Sequence, residues 1–455
     1  MKRREFLATA GGAAVLAASS STRAAGAIPP NVVYVFSDEH RYQSMSISEM
    51  RELRTPNMAA LARQGTSFTQ CISNYPVCSP YRGILQTGRW PYQTGVIDNN
   101  EPLSSEEDTI GKSFQAAGYR TGYIGKWHLG GTRAEPFGYD RSLIWTGVNT
   151  HYDNAKYHVA DSDPIQPKGY NAELMTDQAL EFMGEEQGKP FFLMLSLNPP
   201  HADFLGAPPD QKALYPEGSL PYRPNYGTTK TGADAPSIAK RNSWPYYQGY
   251  HAHISAIDQQ LGRVMDRLDE LGMADNSILV YTSDHGSMFG SHGVGSKRQP
   301  YEESIRVPFI VRWPGEIKAG KIRPDLFGAI DKVPTLCGLA GVDAPSGYEG
   351  RDFTPQVRGE SGPIMDAQFI MHISKLNASG GNNHPAPLFR GLRTHQHTYA
   401  LYPDRPWCLF DNASDPYQQR NLISDPAHIT LRRELHAELQ GRMARAEDPL
   451  ALPGF

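Results

Sequence analysis

Continuous apolar runs separated by amphipathic segments dominate the chain, and this alternation most constrains its fold. Residues 31–37, 190–196 and 277–282 are apolar at most positions, which is typical of strands buried on both faces of a sheet. Residues 119–124 and 307–313 are two further strand candidates. Because strands that alternate with helices build parallel sheets covered on both faces, the sequence predicts an α/β fold with a large, mostly parallel sheet sandwiched by helices.

Helix signals and a late change of pattern predict the domain organisation. Thr55-Pro56 is typical of a helix start and Gly65 of its end, and amphipathic stretches predict helices over 171–186 and 246–271. From about residue 360 the pattern changes to short polar strands and a final helix near 429–445. We therefore predict a catalytic α/β domain over residues 28–360 and a smaller C-terminal α+β subdomain over 361–455. Residues 198–245 show little periodicity and predict a long loop over the sheet.

The first 27 residues predict an export signal that is not part of the fold. Arg3-Arg4 precedes a small apolar run over 8–18 and a small-residue cleavage site at 25–27. Paired arginines are typical of the bacterial twin-arginine route, so we expect a twin-arginine signal peptide and the Tat translocase as a partner. The run is too short for a membrane span, and we expect no membrane span in the mature chain. The predicted location is periplasmic or secreted.

Charge and cysteine content exclude two other classes. The chain has 44 Lys and Arg against 48 Asp and Glu, a formal net charge of −4, without a block of basic residues. A partner bound through its phosphates requires a basic surface, so we expect no nucleic-acid partner. Four cysteines in 455 residues are too few for a fold held together by disulfides.

Polar side chains follow four predicted strands at the point where each strand ends. Ligands of such sheets bind at the carboxyl ends of the strands, so these side chains predict one polar pocket. A single histidine in such a position is more often an ordinary surface residue, but four strand ends together favour a site. The segments are Asp38-Glu39-His40, Lys126-Trp127-His128, Asn198-Pro199-Pro200-His201 and Ser283-Asp284-His285.

Within this pocket, Asp38, Glu39 and Asp284 offer carboxylate oxygens and His285 offers an imidazole nitrogen. A set rich in carboxylates favours a hard divalent cation such as Ca²⁺ or Mg²⁺. The alternative is a hydrogen-bonded pair of carboxylates without an ion, but adjacent acids repel each other, which favours the metal. His285 is the least typical member, because imidazole is an uncommon ligand of Ca²⁺.

The most specific motif is Cys78-Ser79-Pro80-Tyr81-Arg82, followed by Thr87-Gly88. It resembles the Cys-x-Pro-x-Arg signature of the sulfatase family, the formylglycine-dependent type I sulfatases of the alkaline phosphatase superfamily. The family commonly has serine at the fourth position, where this chain has Tyr81. Nearly the whole mature chain is similar to the family in the same order, at residues 31–38, 125–130, 283–286, 291–293, 297, 301–303, 306–308, 409–411 and 415–417.

The resemblance implies that a formylglycine-generating enzyme oxidises Cys78 to formylglycine (3-oxoalanine), whose hydrate attacks the sulfur of a sulfate ester. It also implies that position 78 lies on the metal held by Asp38, Glu39, Asp284 and His285. Ca²⁺ is the expected ion, with Mg²⁺ or Mn²⁺ as alternatives.

Five further residues receive catalytic roles from the resemblance. Arg82 and Lys126 would hold the hydroxyls of the hydrate, and Lys297 would bind the sulfate. His201 is the candidate general acid for the leaving alkoxide and His128 the candidate base that triggers sulfate release, since imidazole titrates near working pH. Which histidine is the acid and which the base stays open at this point.

The sequence therefore predicts an exported sulfatase with a sulfated carbohydrate as substrate. One alternative is a phosphonate monoester or phosphodiester hydrolase on the same scaffold, and another is an inactive protein that binds sulfated glycans. Intact Cys78, Pro80 and Arg82 argue against the inactive form. Four aromatic residues in or after the long loop either stack on sugar rings or pack the loop onto the sheet: Trp244, Tyr246, Tyr247 and Tyr250.

Overall fold

The computed structural model describes residues 28–454 except residues 100, 147–149, 153–154, 160–161, 186–187, 228–242 and 375–387. The predicted signal peptide over residues 1–27 lies outside the described residues. All four cysteines are described, and they are free, buried thiols. Among the described residues, we find no helix with both the length and the apolar character needed to cross a membrane.

Two sheets form the framework of the protein. The large sheet has the order β10-β2-β9-β7-β1-β6-β3-β4-β5, with β8 paired to β2, and the small sheet has the order β11-β12-β13-β14. In chain order the strands are β1 (Asn31–Asp38), β2 (Thr66–Ile72), β3 (Arg120–Lys126), β4 (Arg141–Trp145), β5 (Tyr157–Val159), β6 (Phe191–Pro200), β7 (Ser277–Ser283), β8 (Arg306–Val307), β9 (Phe309–Arg312), β10 (Lys321–Gly328), β11 (Ala367–His372), β12 (Phe389–Thr394), β13 (His397–Leu401) and β14 (Pro406–Asp411).

Helices cover the large sheet, and those predicted over 171–186, 246–271 and 429–445 are found within two residues of expectation. The α-helices are α1 (Pro56–Gln64), α2 (Cys78–Thr87), α3 (Pro91–Thr94), α4 (Ile110–Ala116), α5 (Asn171–Gly184), α6 (Pro209–Ala213), α7 (Trp244–Glu270), α8 (Glu302–Ile305), α9 (Lys332–Ala340), α10 (Thr354–Val357) and α11 (Ile429–Arg445).

The central block of the large sheet is parallel, as predicted. Strands β7, β1, β6, β3 and β4 pair in parallel, whereas β9 pairs antiparallel with both β2 and β7. Every residue of β1 is buried. Since successive side chains point to opposite faces, Tyr34 and Phe36 join the apolar cluster under α2 and α9, and Val33 and Val35 join the cluster under α5 and α7. Burial on both faces explains why these strands are continuously apolar.

The small antiparallel sheet lies in the C-terminal part of the chain, together with α11. Phe369 of β11 and Phe389 of β12 belong to the same apolar cluster as Phe327 and Phe353, so this unit packs against the main core. The predicted fold class is confirmed. The division between residues 360 and 361 stays a prediction.

The predicted loop over residues 198–245 is partly wrong. β6 continues to Pro200, which pairs with Asp38 of β1 after a shift in register. α6 occupies Pro209–Ala213 and α7 already begins at Trp244. Residues 228–242 of this stretch lie outside the described residues.

Candidate active site

The sheet order brings the predicted pocket residues to one edge. β7, β1, β6 and β3 are neighbours, and their carboxyl ends meet at that edge. Asp38 ends β1 and Lys126 ends β3, while Asp284 directly follows β7 and His201 directly follows β6. Residues nearly 250 positions apart in the chain are thereby placed side by side: the backbone N–H of Glu39 donates to Asp284 Oδ1 at 3.0 Å.

Cys78 is the first residue of α2 and is 1% exposed. Free backbone N–H groups and the helix dipole favour negative charge at such a helix start. Four charged or polar atoms surround its Sγ: Lys297 Nζ at 3.2 Å, His285 Nε2 at 3.3 Å, Asp38 Oδ1 at 3.5 Å and Lys126 Nζ at 4.0 Å.

The two lysines dominate the electrostatics at position 78. Burial and the Asp38 carboxylate act to raise the pKa of the Cys78 thiol, but Lys126 and Lys297 outweigh them and hold that pKa well below its usual range. The pocket therefore stabilises negative charge on the side chain at this position.

Arg82, one turn after Cys78 on α2, ties the ends of two strands together. Its Nη2 donates to Asp38 Oδ2 at 3.2 Å and to Asp284 Oδ2 at 3.3 Å, and its Nη1 donates to Ser196 Oγ at 2.8 Å. The guanidinium is 1% exposed, and a buried fork of this kind fixes both carboxylates. Sequence reasoning missed Ser196, which also donates to the Lys126 carbonyl at 2.8 Å. The sequence signal that could have identified Ser196 is its position as a polar residue at the end of the apolar run 190–196.

The carboxylates differ in their proton affinity. Lys126 Nζ lies 2.6 Å from Asp38 Oδ2, and Lys297 Nζ lies 3.4 Å from Glu39 Oε2. Burial acts to raise the pKa of Asp38, but Lys126 and Lys297 hold it well below its usual range. Burial and the nearby Asp38 charge raise the pKa of Asp284 to about 6. The repulsion between the two carboxylates therefore raises mainly the pKa of Asp284.

Four of the five predicted metal ligands lie close enough together to hold a divalent cation, whereas Glu39 falls in a second group. Ligand atoms of Asp38, Cys78, Asp284 and His285 all lie within 4.8 Å of one another, and all four residues are buried. A second group, formed by Asp38, Glu39 and His201, shares Asp38. A cation among these atoms would remove the repulsion that raises the pKa of Asp284, and two carboxylates with an imidazole suit such an ion.

His285, the least typical ligand, is oriented for this role. Its Nδ1 lies 2.9 Å from the Gly286 carbonyl, so an Nδ1–H donated there leaves the Nε2 lone pair free to bind a metal. Nε2 lies 3.5 Å from Asp284 Oδ1 and 3.7 Å from Asp38 Oδ1.

The carboxylates and the cationic side chains of the pocket are equal in number. Three carboxylates (Asp38, Glu39, Asp284) face three cationic side chains (Arg82, Lys126, Lys297) in a network of contacts between 2.6 and 3.8 Å. A divalent cation added to this set would leave the pocket with net positive charge. Such a pocket favours an anionic ligand.

The two candidate acid–base residues lie at the edge of the pocket. His201 Nε2 is 3.6 Å from Glu39 Oε2, and its side chain is 19% exposed. Burial and Lys297 lower the pKa of His201 to about 4. Burial also lowers the pKa of His128, whose Nδ1 has no hydrogen-bond partner among the residues that the structure describes. These shifts favour neutral imidazoles, which can accept a proton.

Tyr81, the departure from the common signature, has a buried partner. Its hydroxyl accepts a hydrogen bond from Lys332 Nζ at 2.8 Å, and the same ammonium donates to Thr282 Oγ1 at 3.0 Å. Both Tyr81 and Lys332 are 0% exposed, and burial lowers the pKa of Lys332. A tyrosine in α2 is thus matched by a lysine in α9, in the cluster that supports the Cys78 helix.

We expect Tyr81→Phe to lower the free energy of unfolding by about 1–3 kcal/mol, because it leaves a buried ammonium without one acceptor. Adding Lys332→Met should recover much of that loss, since both polar partners are then absent. Urea unfolding measures both changes, with Tyr348→Phe, on a side chain that is 43% exposed, as the matched control. Strictly additive losses in the double variant would contradict the pairing.

The four aromatic residues considered for sugar binding divide into two pairs. Tyr247 and Tyr250 are 1% and 0% exposed and pack against Phe289, so packing is their role. Trp244 and Tyr246 are half-buried.

Comparison with known proteins agrees with this geometry. The family model described as Sulfatase matches residues 30–342, and the model described as N-sulphoglucosamine sulphohydrolase, C-terminal, matches residues 290–445. The ulvan-active sulfatase of Formosa agariphila is 34% identical over 435 residues, which are 92% of this chain and 82% of that protein. The N-acetylglucosamine-6-O-sulfatase of Bacteroides thetaiotaomicron is 26% identical over 493 residues, covering 92% and 87% of the two chains.

A solved structure shares the fold across the same region. It is a complex with the substrate D-glucosamine-2-N,6-O-disulfate, with a TM-score of 0.82, 25% identity and coverage of 92% of this chain and 99% of that one. The sheet and the pocket at its carboxyl edge, together with these matches, define a sulfuric ester hydrolase of the alkaline phosphatase superfamily. The chain belongs to the sulfatase family, and the resemblance predicted from its sequence is confirmed.

Proposed function

We propose that the protein is an exported sulfatase that hydrolyses sulfate esters of a carbohydrate, with a formylglycine made from Cys78 and a bound divalent cation. The observation that carries this proposal is the placement of Cys78 Sγ between Lys297 Nζ at 3.2 Å and Asp38 Oδ1 at 3.5 Å, at a helix start. A reacting atom there has cations that attract an anionic ester on one side and metal-binding acids on the other.

The same proposal includes the biogenesis of the protein. Residues 1–27 are a twin-arginine signal peptide read by the Tat translocase, and the product is periplasmic or secreted. A formylglycine-generating enzyme modifies Cys78. Residues 28–360 form the catalytic domain and residues 361–455 the C-terminal subdomain.

Asp38, Glu39, Asp284 and His285 would hold the cation together with the group at position 78. We propose Ca²⁺, with Mg²⁺ and Mn²⁺ as alternatives, because the ligand set is rich in carboxylates. When bound, the cation lowers the pKa of an adjacent hydroxyl and offsets charge on a sulfate oxygen. The hydrate of formylglycine supplies two hydroxyls on one carbon, one as nucleophile and one for release of the product.

Lys126 and Lys297 bind the charged end of the substrate. Their ammonium groups lie 4.0 and 3.2 Å from Cys78 Sγ and are already held in place by Asp38 and Glu39. Charges fixed before the reaction stabilise the negative charge that develops when the S–O bond breaks. Arg82 would orient the hydroxyls at position 78, and it also fixes Asp38 and Asp284.

His201 donates a proton to the leaving alkoxide, and His128 accepts one from the group at position 78. His201 Nε2 lies 3.6 Å from the Glu39 carboxylate, which acts against the burial and the Lys297 charge that lower the pKa of His201. His128 lies beside the start of α2, where its carbonyl accepts a hydrogen bond from Ser79 Oγ. Its neutral imidazole suits a base.

The carbohydrate part of the proposal rests on the named relatives, which act on ulvan and on N-acetylglucosamine 6-sulfate by their descriptions. Release of sulfate from a panel of defined sulfated oligosaccharides tests it, after expression of the chain together with a formylglycine-generating enzyme. Sulfate release from at least one oligosaccharide is the expected result.

Two other results would overturn the proposal. Turnover of bis(4-nitrophenyl) phosphate or of phenyl phosphonate esters without any sulfate release would identify the alternative hydrolase. An unmodified thiol in the tryptic peptide of residues 64–82, together with sugar binding but no turnover, would identify an inactive glycan-binding protein.

A further inference from the structure

Arg298 has a strained backbone, and its guanidinium makes no hydrogen bond to the residues that the structure describes. It directly follows Lys297, whose Nζ lies 3.2 Å from Cys78 Sγ. Its φ is +70°, a left-handed conformation that residues other than glycine seldom adopt and that clusters at functional sites. Its side chain is only 11% exposed.

The guanidinium of Arg298 has one charged neighbour and no hydrogen bond among the residues that the structure describes. The neighbour is Asp98 Oδ1, 3.9 Å away and beyond hydrogen-bond distance. Asp98 is occupied otherwise: Oδ1 accepts from the Asn99 backbone N–H at 2.7 Å, and Oδ2 accepts from Ser374 Oγ. Arginine carries five N–H donors in a fixed fork, so this side chain keeps its full capacity to donate.

Two chain segments hold Arg298 in the neighbourhood of position 78. On one side it is attached to Lys297. On the other side its neighbour Asp98 precedes Asn99, whose Oδ1 accepts from the Ser79 N–H at 3.1 Å and whose carbonyl accepts from Ser79 Oγ at 3.2 Å. Arg298 is therefore one residue from Lys297 and, through Asp98 and Asn99, close to the start of α2.

We propose that Arg298 is a specificity-determining residue that binds a second anionic group, a carboxylate or another sulfate, on the alcohol part of the substrate. This inference rests on the proposed function. The reactive sulfate already has Lys126, Lys297 and the metal-binding acids around position 78, so Arg298 serves a different part of the molecule. A planar fork of donors without an acceptor matches carboxylate and sulfate oxygens and adds charge to the hydrogen bonds.

The test compares matched substrates. One pair is a sulfated disaccharide that contains a uronic acid and its carboxyl-reduced counterpart, and another is a disulfated disaccharide and its monosulfated counterpart. We expect the wild-type enzyme to prefer the more anionic member of at least one pair. In Arg298→Gln the ratio of kcat/KM values for that pair should fall about 10- to 100-fold, mainly through KM, as for a lost charge-assisted hydrogen bond. The pair that responds identifies the anion.

Arg323→Gln is the matched control, because Arg323 also pairs with an aspartate, Asp325 at 2.9 Å, but on β10. It should leave the ratio unchanged, and Arg298→Lys should restore part of the preference. Equal losses on both members of a pair in Arg298→Gln, or no wild-type preference for either pair, would overturn the inference.

Calorimetric titration of the Cys78→Ala chain with the same pairs separates this inference from the proposed function. If no substrate is turned over, the proposed function fails, but weaker binding of the anionic member after Arg298→Gln would still support the role of Arg298. Unchanged binding would refute it.

Discussion

Replacing Cys78 with alanine is expected to reduce sulfate release by about 10⁴-fold or more. The side chain is the reacting group in the proposed mechanism, so its loss leaves the lysines and acids that bind the ester but no atom that attacks sulfur. The fold should persist, because removal of one small buried side chain costs about 1–2 kcal/mol, less than a stable domain has in reserve. Initial rates of sulfate release and thermal unfolding measure the two effects.

Cys408→Ala is the control for this experiment. Cys408 is another free cysteine that is fully buried, but it lies on β14 in the small antiparallel sheet. The same chemical change there should leave the rate of sulfate release unaltered. A Cys78→Ala protein that keeps even a tenth of the wild-type rate would remove position 78 from the mechanism.

Chelation of the bound metal is expected to lower kcat by about 10²- to 10³-fold, since a cation at a reacting oxygen contributes several kcal/mol. Re-addition of Ca²⁺ should restore the rate more fully than Mg²⁺ or Mn²⁺. Asp284→Asn should lower both the metal content and the rate, because it removes one of the two carboxylates that share the group with Cys78. Elemental analysis gives the metal content, and the melting temperature should fall with it.

Asp177→Asn provides the comparison for the loss of a carboxylate. Asp177 lies on α5, its side chain is 53% exposed and it pairs with Arg263. It should change neither metal content nor rate. Full activity in protein without detectable metal would instead favour the hydrogen-bonded pair of carboxylates that the sequence left as the alternative.

The central strands could be predicted from the sequence because they are buried on both faces. β1, β6 and β7 are buried along their whole length, so most of their residues are apolar and the runs stand out. The position of β9, antiparallel between β2 and β7, could not be predicted in the same way. Which strands become neighbours depends on pairing between distant segments, for which a short apolar run carries no signal.

The same distinction applies to the pocket. Asp38, Lys126 and Asp284 could be placed together because carboxyl ends of parallel strands meet at one edge. The pairing of Tyr81 with Lys332, 251 residues later, could not, because each residue explains the other only after the chain has folded. The role proposed for Arg298 could not be predicted for a related reason. It depends on the lack of a hydrogen-bond acceptor for the guanidinium within the described structure, which only the folded chain shows.

The burial of Cys78 determines the order in which oxidation of this residue and folding of the chain can occur. A side chain that is 1% exposed, with α2 packed into the core around it, is out of reach for the active site of another protein. Any enzyme that oxidises this thiol must therefore act while the segment is still extended. Under the proposed mechanism, a molecule that folds with an unoxidised Cys78 stays inactive. The yield of active protein then depends on whether the enzyme-catalysed oxidation of Cys78 precedes the spontaneous folding of the chain.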